Sequence, residues 1–205
     1  MSSLGKDEII QILQNLKKLF NDNRDYLVEL DARMGDGDLG LTMSKAFTAA
    51  YDELRDTAET DIGKLLMKAG MLMAKAAPST MGTLMGTGFM RGGKAVTGKD
   101  EISTADLAEF FQAFARGIME RGKAKPGEKT ILDSLKPAAD TLAELKGEDV
   151  VKALPAALRS SEKGLESTKN MVAQHGRMAY YKEQSKGQED PGATAGVILI
   201  KGFML

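Results

Sequence analysis

The chain has 205 residues, enough to enclose one apolar core, and carries 28 Lys plus Arg against 29 Asp plus Glu for a formal net charge of −1. That balance, with no Trp and no basic tract, argues against nucleic acid or an acidic membrane surface as a partner. Cysteine is absent, which excludes disulfides, thiolate metal sites and cysteine nucleophiles and suits a reducing cytoplasm. The opening MSSLGKDEIIQIL shows no signal-peptide character, and the longest greasy stretch, Ala193 to Ile200, is far below the roughly 20 residues that span a bilayer. A cytoplasmic protein forming one domain over residues 1–205 is expected.

Helical periodicity runs from end to end, and strand alternation is hard to find. Ile9, Ile10, Leu13, Leu16, Leu19 and Phe20 place one apolar stripe on a first helix. A short helix is expected over Arg24 to Arg33, and a third from about Leu41 to Leu54. The next follows Thr60 or Asp61, turns Ile62, Leu65, Leu66, Ala69, Met73 and Ala76 inward, and stops before Pro78. Met81 to Val96 is a Met- and Gly-rich helix closed by Gly98. Ser103 and Asp106 form a capping-box signal ahead of Leu107, Phe110, Phe111, Phe114 and Ile118, with Gly122 at the end. RGKAKPGEKT reads as a loop, followed by helices over about Ile131 to Leu145 and Asp149 to Val172. Pro137 and Pro155 each occupy a first turn or bend their helix. Residues 174–192 lose the periodicity and read as a long loop, of a kind that in a compact domain is usually functional or mobile, before a closing apolar helix from Ala193. The sum is roughly eight helices in an all-α bundle or closed ring.

DARMGDGDLG, residues 31–40, holds Asp31, Asp36 and Asp38 among three glycines. Gathered carboxylates repel one another and take up protons unless a hard cation accepts their oxygens. Turn chemistry accounts for Asp36 and Asp38 but not for Asp31, which falls near a helix C-terminus where the macrodipole disfavours a carboxylate. Gly35, Gly37 and Gly40 spell G-x-G-x-x-G, yet no strand precedes them and the aspartates would repel a pyrophosphate there. GFMRGGK, Gly88 to Lys94, fails as a P-loop because Ala95 stands where Ser or Thr should be. An EF-hand fails at Gly40. The aspartates therefore read as magnesium ligands facing a polyphosphate, where two ions would neutralise most of the charge.

Four blocks in order, LVELDARMGDGDLG, PSTMGTLMGTGFMRGG, GKAKPGEKTILDSLKPAADTL and HGRMAYYKEQSKGQEDPGATAG, resemble the L subunit of dihydroxyacetone kinase, from about Tyr26 to the C-terminus. The resemblance implies an eight-helix antiparallel α-barrel that binds ADP or ATP at one end through two Mg²⁺ ions. By position, Asp31, Asp36 and Asp38 match the magnesium ligands and act with Arg177 in catalysis. The nucleotide would meet Leu39, Gly40, Leu41 and Thr42, then Thr80 and Met81, then Gly122 and Ile131, then Arg177 and the turn Asp190, Pro191 and Gly192.

The same resemblance implies a kinase subunit active only with a partner. A separate K-type subunit would hold a short ketose, and either ATP or a phosphohistidine protein of the sugar phosphotransferase system would supply the phosphoryl group. The family usually has His where Leu39 stands, Asn where Thr42 stands and small residues at Thr80 and Met81. That departure keeps open an alternative, a nucleotide-binding regulatory protein without sugar kinase activity. His175, the sole histidine, reads as a polar loop residue.

Overall fold

A computed structural model describes residues 3–205. In chain order it contains β1 (Ser3–Gly5), α1 (Lys6–Asp22), α2 (Arg24–Ala32), α3 (Leu39–Leu54), α4 (Ile62–Ala76), α5 (Thr80–Ala95), β2 (Glu101–Ser103), α6 (Thr104–Gly122), α7 (Leu132–Glu144), α8 (Val150–Ser167) and α9 (Pro191–Gly202), with 3-10 segments at Thr168–Asn170 and Arg177–Ser185. Eight of the helices close a ring: α1 packs on α3, each helix from α3 to α8 packs on the next, and α9 returns to α1. The short α2 packs against α1, α3 and α9.

Ring neighbours run in opposite directions, as their contacts show. Along α4 and α5, Gly63 faces Gly93 while Gly70 faces Gly86. These backbones approach so closely that a Cβ on Gly70 would lie 2.5 Å from the carbonyl oxygen of Gly86, so the pair tolerates no side chain there. Along α5 and α6, Gly88 meets Phe114 and Gly92 meets Phe110. Along α7 and α8, the Thr141 hydroxyl bonds that of Ser160 at 2.7 Å, and Gly164 lies against the carbonyl of Asp133.

Inside the ring, the inward stripes of the helices bury their apolar side chains together. All seven phenylalanines form one connected chain of ring contacts, from Phe20 stacked on Phe47 at 4.5 Å, through Phe89, Phe110 and Phe114, to Phe111 and Phe203 at 4.9 Å. Aromatic contacts of this kind each add about 0.5–1.5 kcal/mol beyond area burial.

The caps follow the sequence closely. Asp61 accepts from Lys64 N at 3.0 Å, and Ser103 and Asp106 exchange the two bonds of a capping box. Several details differ from the sequence reading or settle what it left open. The three-residue strands β1 and β2 pair antiparallel, Leu4 opposite Ile102, and are too short to show alternation. The eighth helix ends at Ser167, because the chain tightens into a 3-10 turn over Thr168–Asn170. Residues 177–185 form 3-10 turns broken at Lys182 (φ 48°) rather than open loop. Pro137 and Pro155 lie inside α7 and α8, beyond their first turns. Pro137 leaves the Asp133 carbonyl without its helical donor, and the bare backbone of Gly164 lets α8 pack against that oxygen.

Candidate functional site

Antiparallel order puts the N-termini of α3, α5, α7 and α9 at the same end of the ring, and there they surround one cavity of about 370 Å³. Residues at all four starts line it: Asp38 and Leu39 at α3, Ser79, Thr80 and Met81 at α5, Ile131 at α7, and Asp190, Pro191 and Gly192 at α9. The positive ends of the helix dipoles, with the first-turn N–H groups that no cap takes up, make such a mouth favourable to an anion. Pro191 occupies a first-turn position, where its missing N–H costs nothing.

At one side of the cavity, Asp31, Asp36 and Asp38 each bring a carboxylate oxygen within 4.8 Å of the others. Asp31 comes from the end of α2, and its Oδ2 accepts from Leu39 N at 3.4 Å, which ties the acidic turn to the first turn of α3. Burial, then the neighbouring charges of Asp36 and Asp31, push the Asp38 carboxyl above the usual range, and Arg177 only partly offsets them. Arg177 Nε lies 2.8 Å from Asp36 Oδ2, so this arginine ties the 174–190 segment to the acidic turn.

The cavity wall also carries apolar Met81, Leu84, Ile118, Ala124, Ile131 and Pro191, with Gly122 at the C-terminus of α6. Lys129, 2% exposed, also lines the cavity, and its ammonium donates to the carbonyls of Thr168 at 2.6 Å and Gln188 at 2.5 Å. Lys129 thereby joins the two ends of the 168–188 segment. Desolvation lowers the Lys129 pKa, with Asp190 and Asp133 opposing the shift. Burial likewise pushes the Asp190 carboxyl up to about 7, although it accepts from Ala193 N at 2.7 Å and feels the Lys129 ammonium.

Of the residues singled out in the sequence, Asp31, Asp36, Asp38, Leu39, Thr80, Met81, Gly122, Ile131, Arg177, Asp190, Pro191 and Gly192 are brought to this one cavity. Gly40, Leu41 and Thr42 are in the first turn of α3 but not on its wall. Gly40 lies against the Arg24 carbonyl, the Leu41 side chain is exposed, and the Thr42 hydroxyl is 3.3 Å from that of Ser79. Sequence reading passed over Lys129, Ser79, Leu84, Ile118 and Ala124, and it gave His175 no place on the wall that the ring occupies. Lys129 and Ser79 look like ordinary loop and capping residues until the fold closes. The convergence of four helix starts had no local signal at all.

A closed helical ring with four helix N-termini and three carboxylates at one mouth defines a binding domain suited to an anionic ligand accompanied by a hard cation. The chain belongs to the DAK2 domain family, whose pattern residues 33–205 match. It is 33% identical over 205 residues to the PEP-dependent dihydroxyacetone kinase, ADP-binding subunit DhaL, of Escherichia coli strain K12, covering 99% of this chain and 98% of that one. It is also 31% identical over 183 residues to human triokinase/FMN cyclase, covering 88% of this chain but 32% of that longer protein. The fold matches that of the dihydroxyacetone kinase of C. freundii in complex with AMP-PNP and Mg²⁺ with a TM-score of 0.73 at 23% identity, over 100% of this chain and 34% of that chain. Among the described residues no helix is long and apolar enough to cross a membrane.

Proposed function

We propose that residues 1–205 form a single nucleotide- and magnesium-binding domain, the subunit of a cytoplasmic short-ketose kinase that carries the phosphoryl group. One observation carries this reading: a single cavity joins a cluster of three carboxylates to an apolar recess beneath four helix N-termini. The names of the relatives support it, since the E. coli protein is an ADP-binding subunit of a dihydroxyacetone kinase.

The donor set fits magnesium. The cluster offers carboxylate oxygens alone, and burial together with the charges of Asp36 and Asp31 raises the Asp38 pKa, a cost that a divalent ion would relieve. Asp31, Asp36 and Asp38 would hold two ions, which supply charge neutralisation along the polyphosphate. The protein's own groups do the rest by positioning. First-turn N–H groups of α3, α5 and α9 orient the diphosphate, and Met81, Leu84, Ile118 and Ile131 flank the adenine and exclude water. Arg177, which pairs with Asp36 here, would be free to offer its planar fork to the transferring phosphoryl group if that carboxylate held a cation.

The ketose would be presented by a K-type partner subunit, and the nucleotide recharged by exchange for ATP or by a phosphohistidine donor protein. The test combines this chain with a K-type subunit, dihydroxyacetone, Mg²⁺ and either donor, and measures dihydroxyacetone phosphate. Product is expected only when both subunits are present. Tight Mg²⁺-dependent ADP binding without product, from any K-type partner or donor, would overturn the kinase assignment in favour of a regulatory one.

A further inference from the structure

His175 is the chain's single histidine, and it lines the cavity next to Gly176 and Arg177. Its Nε2 lies 2.7 Å from Oε2 of Glu128, and both side chains are about one-third exposed, 33% and 31%. Gln174 N also donates to the Glu128 carbonyl at 3.2 Å, so backbone and side chain together fasten the residue to the loop that precedes α7. Gly176, at φ 65°, reverses the chain between His175 and Arg177 in a conformation only glycine adopts freely, and both neighbours reach the same cavity.

The chemistry of the pair fixes the tautomer. The Glu128 carboxyl is held below its usual range, first by His175 and then by Lys125 N, which donates to it at 2.7 Å. An ionised carboxylate only accepts, so Nε2 carries the proton and Nδ1 is the free ring nitrogen. Nδ1 has no protein partner among the described residues. In the neutral ring Nδ1 can only accept, and it becomes a donor only when the ring gains a second proton.

We propose that His175, oriented by Glu128, is a second cationic contact for a phosphate oxygen of the bound nucleotide, and that the ring takes up a proton at Nδ1 when that nucleotide binds. The inference rests on the nucleotide reading of the cavity. The proton comes from solvent. It converts neutral imidazole to imidazolium, whose Nε2–H stays on Glu128 while the new Nδ1–H donates to the phosphate. Charged groups around the cavity set the balance: Lys125 and Lys129 on the loop before α7, Arg177 on the histidine's own segment, Asp31, Asp36 and Asp38 at the mouth, and Asp133 and Asp190 at the starts of α7 and α9. An anion placed against Nδ1 would favour the imidazolium. Glu128 is a positioning residue in this arrangement.

A single histidine makes the test direct. Long-range ¹H–¹⁵N spectra of the whole chain report both ring nitrogens without assignment, and calorimetry in buffers of differing ionisation enthalpy counts protons. With Mg²⁺ and ADP at pH 7.5, Nδ1 is expected to become protonated, Nε2 to keep its proton, and binding to absorb a fraction of one proton. Adenosine should leave Nδ1 unprotonated. His175→Gln should abolish the proton uptake and weaken ADP binding about tenfold, the scale of one lost charge-assisted hydrogen bond. Glu128→Gln should lower the uptake. ADP binding with no change at Nδ1, and unchanged affinity in His175→Gln, would overturn this inference and leave the nucleotide site standing. The same Nδ1 response to adenosine would overturn the phosphate contact in favour of a nucleoside one. Absence of any Mg²⁺-dependent ADP binding would overturn both.

Discussion

Asp36→Asn is expected to lower phosphoryl transfer in the two-subunit assay at least about 100-fold while the unfolding midpoint stays within about 2 °C of wild type. Asp36 is the informative member of the triad because its side chain, 44% exposed, makes one ion pair, to an Arg177 side chain that is itself 66% exposed. Pairs as open as this contribute about 0–1 kcal/mol, so losing it barely touches the fold. Asp31 would give a mixed answer, since its carboxylate also accepts from Leu39 N and helps to place α3. Asparagine keeps the size of Asp36 and one acceptor oxygen but removes the charge that attracts a divalent ion. Turnover equal to wild type would remove Asp36 from the cation site.

Asp133→Ala is expected to have the opposite profile, a loss of about 2–4 kcal/mol of stability and a cavity that no longer forms properly. Asp133 is 5% exposed, at the start of α7, and its two oxygens accept from Gly127 N at 2.5 Å and Thr130 N at 2.7 Å. Alanine strands both donors and removes a negative charge from a helix N-terminus, where the dipole favours it. The loop so released carries Ala124, Lys129, Thr130 and Ile131, all on the cavity wall. Urea unfolding should show a lower midpoint with little change in slope, and Asp133→Asn should fall between, because an amide accepts through one oxygen only. A change below about 0.5 kcal/mol would mean that the carboxylate does not hold this loop.

The helices were legible because long amphipathic segments with strong stop signals say much about themselves. The Phe110, Phe111, Phe114 and Ile118 face behind the Ser103 cap is buried as its spacing demands, and the chain break at Pro78 falls between α4 and α5. The ends were harder to read where caps are unusual. Asp38 opens α3 without a side-chain capping bond, so the helix starts at Leu39 and not at Leu41. Asp190 does cap α9, and Pro191 opens it two residues ahead of the apolar run.

The acidic turn was legible for a different reason: it holds more charge than a turn needs, and burial with mutual repulsion at Asp38 shows the cost that the sequence pattern implied. Long-range partners left no such trace. Nothing in PGEKT says that the Lys129 ammonium reaches Thr168 and Gln188, or that Glu128 meets His175 across 47 residues. These contacts exist only because the ring brings the loop before α7 against the segment between α8 and α9.

The most direct test of the central claim is a crystal structure of the chain with ADP and Mn²⁺ in place of Mg²⁺, read by anomalous scattering. Manganese peaks are expected on the carboxylates of Asp31, Asp36 and Asp38, with the diphosphate on the same ions, adenine against Met81, Leu84, Ile118 and Ile131, and Arg177 no longer paired with Asp36. Manganese absent from those carboxylates while ADP is bound elsewhere, or an empty cavity at saturating nucleotide, would contradict that claim.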